Sequence, residues 1–124
     1  MKVLLSIKPE FAMKIFSGTK KYEYRRAIFK NRDIGIVIVY ATDPVRRVIG
    51  EFEIEHILYD EPQSLWLKTK NYAGISEKRF FDYFTNKLKG YAIKVKKATM
   101  YDDPLPLNSL QVSSPPQSFV YISQ

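Results

Sequence analysis

Three charged side chains that lie close together in the sequence could do chemistry. Lys20, Glu23 and Arg25 fall in the segment Gly18–Arg26, where a helix is predicted to end and a strand to begin. Alternate side chains of a strand share a face, so Glu23 and Arg25 project to one side, in phase with Lys21, while Lys20 lies at the turn. An arginine can offer two parallel donors to a phosphate or a base edge, and a glutamate can accept from an amino group or act as a base. From spacing alone, an exposed strand face with an ion pair worth under about 1 kcal/mol is an equally good account.

The excess positive charge of the chain comes from its first part. The formal charge is +7; residues 1–47 contain eleven Lys or Arg against four Asp or Glu, and residues 48–124 contain nine of each. A basic face attracts phosphates, so this distribution favours an anionic, nucleic-acid-like ligand over a surface that is basic only for solubility. Arg46 and Arg47 follow a predicted turn and would extend such a face along a phosphate backbone.

The composition excludes several kinds of site. The 124 residues include no cysteine and one histidine, which excludes disulfides, a thiol nucleophile and a thiolate or histidine-built zinc site. No segment approaches the ~18 consecutive apolar residues of a membrane span, and the N-terminal apolar run is too short for the core of a signal peptide. We therefore expect a cytoplasmic protein with no metal, no cofactor and no membrane partner; the sequence leaves the oligomeric state open.

Length and patterning predict one α+β domain over residues 1–124, because a chain of this size with 45% hydrophobic residues can form one core. The predicted elements are a strand over Val3–Ile7, a helix from Pro9 to Gly18, strands over Lys21–Ile28, Ile34–Ala41 and Val48–Leu58, helices beginning at Pro62 and Ser76, and strands over Gly90–Lys97 and Phe119–Ile122. Gly18 is expected to take a positive φ where the helix stops. His56 shares the parity of Phe52 and Ile54 and is expected to be buried. Five or six short strands with inserted helices favour a mixed β-barrel over a parallel βαβ sheet.

Tyrosines near the basic segment could stack on bases. The chain has nine tyrosines, and a base stacked on an aromatic ring contributes ~1–3 kcal/mol. Tyr40 and Tyr91 fall on predicted strands, and Tyr40 and Thr42 end a buried strand, where small sites often collect their polar groups. For any single tyrosine, a place in the core or at the barrel rim is the alternative.

The pattern Gly18-x-Lys20-x-x-Glu23-x-Arg25 resembles the signature of the ASCH domain, a family related to the PUA fold. The flanking segments Ser6-Ile7-Lys8-Pro9 and Pro115-Pro116-Gln117-Ser118-Phe119 also resemble the small stand-alone prokaryotic members, so the resemblance spans essentially the whole chain. It implies a PUA-like β-barrel whose cleft is lined by the lysine, glutamate and arginine of the signature. It also implies RNA binding, with a regulatory role in transcription or RNA metabolism.

The resemblance also implies two enzymatic alternatives. Some small members that are similar to this chain act as enzymes: one hydrolyses the amide of N4-acetylcytidine, and another is described as a ribonuclease. The amidohydrolase type pairs its lysine with a threonine three residues on and with a glutamate in the middle helical region. In this chain the threonine position is Glu23, and the segment Ala73–Ile75 has no clear counterpart of that glutamate. This departure counts against the amidohydrolase activity.

We therefore predict a basic cleft that binds RNA or a nucleotide-like anion. The expected ligand-binding residues are Ser6, Lys8, Lys20, Glu23, Arg25, Arg26, Tyr40, Thr42, Arg46, Arg47, Tyr91, Gln117 and Ser118. The first alternative is a small metal-free hydrolase of a modified nucleoside or of RNA, with Lys20 and Glu23 as its acid–base pair. The second is an adaptor that binds a protein partner in the same cleft. A catalytic Lys20 would need a lowered pKa, which the sequence does not show.

Overall fold

The computed structural model describes residues 1–123, which form six strands and three α-helices. The elements are β1 (Lys2–Ile7), α1 (Pro9–Ser17), β2 (Tyr22–Arg25), β3 (Ile36–Ala41), β4 (Arg47–Asp60), α2 (Pro62–Thr69), α3 (Glu77–Tyr83), β5 (Gly90–Leu105) and β6 (Val120–Ile122). The strands form one sheet in the order β2-β5-β4-β3-β1-β6. The β1–β3 pair is parallel, and the other pairs are antiparallel. The predicted α+β class and the mixed sheet of six strands are confirmed.

The side chain of Arg25 joins the two ends of this sheet. Strands β2 and β6 are the first and last in the sheet order. Arg25, at the end of β2, nevertheless donates hydrogen bonds to the carbonyl of Ser6 in β1 at 3.2 Å and to that of Ser118 before β6 at 2.8 Å. The sheet is therefore curved until its ends approach each other, as in a barrel.

Helix α1 ends where the sequence predicts and places Lys20. Pro9 occupies the first turn, and Gly18 has a φ of 88° in the left-handed conformation, which a residue without a Cβ adopts readily. The amides of Thr19 and Lys20 both donate to the carbonyl of Lys14, at 3.1 and 3.0 Å. This tight turn places Lys20 next to the last turn of α1, immediately before β2 begins.

Strand β2 separates two hydrophobic clusters. Tyr22 and Tyr24 pack with residues of α2, α3 and β5 in one cluster, which includes Leu65, Phe80, Phe84 and Ala92. Glu23 has Ile93 as its register partner, and Ile93 belongs to the main core cluster formed with β1, β3, β4 and α1. Because cross-strand partners share a face, Glu23 points to the side of the main core and Tyr22 and Tyr24 point to the helices.

Strand β4 departs from the predicted alternation. Its register with β5 shifts between Glu53 and Ile54 and again between Ile54 and His56. These bulges change the parity, so Ile57 packs on the main core and the His56 side chain is 47% exposed. The prediction that His56 is buried is therefore wrong. Strand β5 continues to Leu105, well past the predicted end at Lys97, because the long β4 pairs with it as far as Val48.

Candidate functional site

A cleft of about 620 Å³ lies between α1, α3 and the ends of β1 and β2. Its walls carry more positive than negative side chains. The charged lining residues are Lys8, Lys20, Arg25 and Arg79, with Glu23 and Asp82. The remaining lining residues include the rings of Phe11, Tyr24 and Tyr83. The cleft therefore combines cations, carboxylates and aromatic faces.

Lys20 is the most unusual group of the cleft because it is a buried cation. The residue is 2% exposed, and its ammonium donates to the carbonyl of Ala73 at 2.6 Å. The nitrogen also lies 5.2 Å from the ring centre of Phe11 and 4.7 Å from that of Tyr24. Burial lowers the pKa of Lys20 to about 8, and the nearby charge of Glu23 opposes this change. Such a lysine releases its proton far more readily than an exposed one.

Gly74 allows the chain to cover Lys20 closely. Its φ is 64°, and a Cβ added there would lie 2.5 Å from the Cβ of Lys20. The segment Ala73–Ile75 therefore packs directly on the lysine, and it supplies a backbone carbonyl to the ammonium instead of a carboxylate. Glu77, the nearest acidic residue along the chain, is exposed and is not among the residues lining the cleft.

Glu23 provides an acceptor in the same cleft. It is 6% exposed, and its Oε2 accepts from the guanidinium of Arg25 at 3.1 Å. The ion pair of Glu23 is thus with Arg25 and not with Lys20. Within residues 1–123, its second oxygen, Oε1, accepts no hydrogen bond. Lys20, Glu23 and Arg25 all line this one cleft, and the charge of Glu23 acts on the pKa of Lys20 without a direct ion pair between them.

Arg25 positions Glu23 and ties the strands together. One terminal nitrogen donates to both Glu23 and the Ser6 carbonyl, and the other donates to the Ser118 carbonyl. The sequence suggested a free guanidinium fork for a phosphate or a base edge. In the structure both ends of the fork are occupied, because the end of β2 is held against β1 and the segment before β6.

Three further residues that the sequence predicted line the cleft, and a fourth borders it. Ser6, Lys8 and Gln117 contribute to its walls. The Ser6 hydroxyl donates to the carbonyl of Pro116 at 2.8 Å, which holds the proline-rich segment against β1. Ser118 contributes its carbonyl to Arg25. Segments from the two ends of the chain therefore meet at the cleft.

Arg26 and Tyr40 lie away from the cleft lining. The guanidinium of Arg26 donates to the carbonyls of Tyr83 and Thr85, at 2.7 and 2.9 Å, and so holds the end of α3. Tyr40 is 4% exposed and belongs to a core cluster with Leu4. A ring buried in this way has no free face for a base, because strand β3 is covered on both sides.

The turn between β3 and β4 is next to the cleft but does not line it. The amide of Thr42 donates to the carbonyl of Ile7 at 3.1 Å, which places the turn beside the end of β1. Arg46 is exposed and forms an ion pair with Asp43, and Arg47 is exposed and donates to the carbonyl of Arg46. These arginines can reach a long ligand that leaves the cleft, but not one confined to it.

Tyr91 lies on a different surface. Its ring stacks on that of Tyr59, with 4.5 Å between the ring centres and 24° between the planes. Both rings border a separate cavity of about 360 Å³. The predicted stacking tyrosine is therefore half-buried, with one ring face against Tyr59, and it lies outside the cleft.

Sequence analysis missed the contribution of α3 to the cleft. Arg79 lines the cleft and forms a two-point ion pair with Glu10 of α1, at 3.3 and 3.1 Å. Its guanidinium lies 4.9 Å from the ring centre of Phe11. Nothing local in the sequence marks Arg79, because its place depends on how α3 packs against α1.

A second cavity, of about 570 Å³, lies on the other side of Lys20. Its lysines include Lys68, which pairs with Asp60 at 2.7 Å, and Lys94, which pairs with Glu55 at 3.2 Å.

Across residues 1–123, no group of three or more His, Cys, Asp or Glu side chains is arranged to hold a metal ion. None of the helices in this part of the chain has both the length and the apolar character that a membrane crossing requires.

A family model matches the part of the chain that contributes all but one of the residues lining the cleft. The ASCH domain model matches residues 5–99, which include α1, β2, α2 and α3. The chain belongs to the ASCH domain family. An ASCH domain-containing ribonuclease of Zymomonas mobilis subsp. mobilis is 32% identical over an alignment of 125 positions, which covers 96% of this chain and 82% of that protein. The crystal structure of ASCH from Zymomonas mobilis matches with a TM-score of 0.91 at 30% identity, over 99% of this chain and 88% of that one. The expected PUA-like ASCH fold is thereby confirmed.

Other similar proteins are longer than this ASCH domain. The large ribosomal subunit protein uL22 of Ureaplasma parvum is 28% identical over 120 residues, 97% of this chain but 39% of that protein. The chain thus spans about two fifths of the length of that relative. The N-terminal domain of Staphylothermus marinus McrB matches with a TM-score of 0.52 at 13% identity, which is a likeness of fold alone.

Proposed function

We propose that this ASCH domain binds RNA, with one nucleotide held in the cleft at Lys20 and Glu23. The observation that carries the proposal is that one cleft contains both a buried ammonium, that of Lys20, and a carboxylate oxygen of Glu23 that accepts no hydrogen bond within residues 1–123. Perturbed ionisable groups of this kind cluster at functional sites, and the free oxygen of Glu23 is accessible from the cleft to a ligand. The Zymomonas relative, which is named a ribonuclease, supports RNA as the ligand.

The walls of the cleft supply each contact that a nucleotide needs. Lys8 is an exposed cation at the cleft and can neutralise a phosphate; Arg79 adds positive charge there but is paired with Glu10. The free oxygen of Glu23 can accept from an exocyclic amino group or a ribose hydroxyl, and Phe11 and Tyr83 offer ring faces. Arg46 and Arg47, beside the end of β1, would contact the phosphate backbone where the strand leaves the cleft.

A second candidate function is metal-independent cleavage of RNA in the same cleft. It is favoured by the pKa of Lys20, which burial lowers to about 8. In such a cleavage the ribose 2′-oxygen attacks the adjacent phosphorus and the 5′-oxygen leaves, giving a cyclic phosphate and a free hydroxyl. Glu23 would take the proton of the attacking hydroxyl, and protonated Lys20 would give its proton to the leaving oxygen. Hydrolysis of an acetylated nucleoside is less well supported, because Glu23 replaces the threonine and the segment Ala73–Ile75 brings no carboxylate.

Variants of Lys20 and Glu23 separate binding from cleavage. We would measure the affinity for a labelled single-stranded RNA and the rate of its cleavage for the parent, Glu23→Gln and Lys20→Met. In a binding module Glu23→Gln weakens the affinity by roughly five- to 150-fold, as expected for a lost hydrogen bond to a charged group. Neither the parent nor either variant then cleaves the RNA. In a ribonuclease it leaves binding nearly intact and lowers cleavage about a hundredfold or more.

The control is Lys21→Met. Lys21 is adjacent in sequence but exposed, and its ammonium lies over the ring of Tyr72 at 4.3 Å, outside this cleft. Its replacement should leave both quantities near the parent values. If Glu23→Gln and Lys20→Met also behave like the parent, the assignment of the site is wrong. Release of acetate from N4-acetylcytidine by the parent would favour the nucleoside hydrolase instead, and capture of a protein without RNA binding would favour an adaptor.

A further inference from the structure

A row of three side chains crosses the sheet next to the cleft. Arg25 of β2 is in register with Tyr91 of β5, and Tyr91 is in register with Tyr59 of β4. Register partners of antiparallel strands project to the same face, about 4.8 Å apart from strand to strand. The row therefore begins at a wall of the cleft and leads away from it. The distance from its first to its last side chain is comparable to one or two nucleotide steps.

The outer part of this row is aromatic and flanked by cations. The rings of Tyr59 and Tyr91 are stacked 4.5 Å apart, and Tyr59 is 56% exposed. The ammonium of Lys89 lies 5.3 Å from the ring centre of Tyr59, and the guanidinium of Arg32 lies 5.5 Å from that of Tyr91. The adjoining cavity also carries Glu55 and His56, with isoleucines at its base.

A stacked ring pair with cations beside it, in which Tyr59 is exposed and Tyr91 half-buried, has the chemistry that single-stranded nucleic acid requires. An aromatic face binds any unstacked base, and a neighbouring lysine or arginine binds the phosphate. The bases of a duplex are already stacked and offer no free face to such a surface. We propose that Arg32, Tyr59, Lys89 and Tyr91 form a stacking subsite for a nucleotide of single-stranded RNA that flanks the nucleotide held in the cleft. This inference rests on the proposed function and extends it to the form of RNA that is bound.

The charge of the surface favours RNA over a protein partner. The cations of Arg32 and Lys89 flank the rings of Tyr91 and Tyr59, and a basic surface with a stacked ring pair complements a phosphodiester strand that carries bases. A phosphodiester strand that crosses from Arg25 towards Tyr59 would be neutralised on both sides by Arg32 and Lys89. Glu55 lies in this cavity as well, but Lys94 pairs with it at 3.2 Å.

Substitution of Tyr59 tests the subsite. The probes are a fluorescein-labelled single-stranded RNA of about ten nucleotides, which is long enough for both sites at this row's spacing, and a dinucleotide that occupies the cleft alone. Tyr59→Ala should weaken binding of the longer RNA by about tenfold, the loss expected for one stacked base. It should leave dinucleotide binding unchanged. Tyr59→Phe keeps the ring and should bind like the parent.

Two further variants guard against a purely structural effect. Lys89→Glu leaves the stacked rings in place and should also weaken binding of the longer RNA. Tyr72→Ala is the matched control. Tyr72 is also exposed, at 48%, and has the ammonium of Lys21 over its ring at 4.3 Å, but it lies outside both the cleft and the stacking subsite. It should bind like the parent.

The outcomes distinguish this inference from the proposed function. If Lys20→Met weakens RNA binding while Tyr59→Ala and Lys89→Glu do not, the subsite is overturned and the cleft stands. If Tyr59→Ala weakens binding while the cleft variants do not, the stacking surface stands and the cleft proposal fails. A parent protein that does not bind the longer RNA, or that binds a duplex of that length equally well, contradicts the subsite.

Discussion

At the scale of single residues, the site depends on one lysine whose surroundings the sequence shows only in part. The spacing placed Glu23 and Arg25 on one strand face and Lys20 at the turn before it, but an exposed strand face was an equal alternative, and the resemblance to the ASCH family was needed to favour a shared cleft. The lowered pKa of Lys20 could not be predicted. It arises from burial under the segment Ala73–Ile75, which is more than fifty residues away in the chain and carries no pattern of its own.

Replacement of Lys20 by methionine tests this burial through stability. The pKa of Lys20 is about 8 in the folded protein against the ordinary value of 10.5, so the unfolded chain retains the proton over that range. The free energy of unfolding therefore rises with pH through this window, and below it the folded protein carries the full cost of the buried charge. Relative to Lys20→Met, the parent should gain about 3 kcal/mol between roughly pH 7 and pH 11.

Urea denaturation of both proteins at several pH values measures this gain. Every other titrating group is present in the parent and in the variant, so its contribution cancels in the difference. The lost hydrogen bond to Ala73 shifts the two curves by a constant amount. A stability difference that does not change with pH would contradict the burial of a charged Lys20.

At the scale of elements, patterns of a few adjacent residues were enough to predict the helices. Features that depend on the pairing of distant strands could not be predicted. Helix α1 with Gly18, the start of α2 at Pro62 and the cap of α3 at Ser76 were predicted because each depends on a few adjacent residues. The bulges of β4 and the extension of β5 depend on how two long strands pair, so the predicted burial of His56 failed. The closing of the sheet by Arg25 was likewise invisible, because its acceptors are backbone carbonyls distant in sequence.

Substitution of Arg25 tests its role in closing the sheet. Arg25→Ala should destabilise the protein by about 3 kcal/mol, because it leaves the buried carboxylate of Glu23 without its partner. It should also speed amide exchange in Val120–Ile122, since the segment before β6 loses its tie to β2. Arg26→Ala is the comparison: its bonds go to the end of α3, so exchange in β6 should not change. If the two variants affect β6 equally, Arg25 does not close the sheet.

At the scale of the whole molecule, the basic first part of the chain is spread over more than one surface. Lys8, Lys20 and Arg25 line the cleft, Arg32 lies beside Tyr91, and Arg46 and Arg47 extend from a turn near β1. Residues 1–47 contribute three of the four cations that line the cleft, but the sequence could not show how the remaining cations of this part are distributed. Arg79 adds a cation from the electrically neutral second part.

The salt dependence of RNA binding tests whether the arginines of the turn contact phosphates. The logarithm of the affinity should fall linearly with the logarithm of salt concentration, with a slope of roughly 0.7 for each phosphate neutralised on a single strand. Alanine at both Arg46 and Arg47 should make this slope shallower without changing sequence preference. Alanine at Lys96 and Lys97, two adjacent exposed cations of β5, is the control and should leave the slope unchanged. A flat dependence in the parent would mean that the charge serves solubility alone.

The most direct test of the central proposal, that RNA binds at the Lys20–Glu23 cleft, is an NMR titration of the isotope-labelled protein with unlabelled single-stranded RNA. A protein of 14.5 kDa is small enough for NMR spectra in which individual amide signals are resolved. The account predicts saturable shifts that are largest at Lys8, Lys20, Glu23 and Gln117, and that disappear for those amides in Lys20→Met. Binding of RNA that leaves these four amides unmoved, with shifts confined to Lys68 and Lys94 at the second cavity, would contradict it.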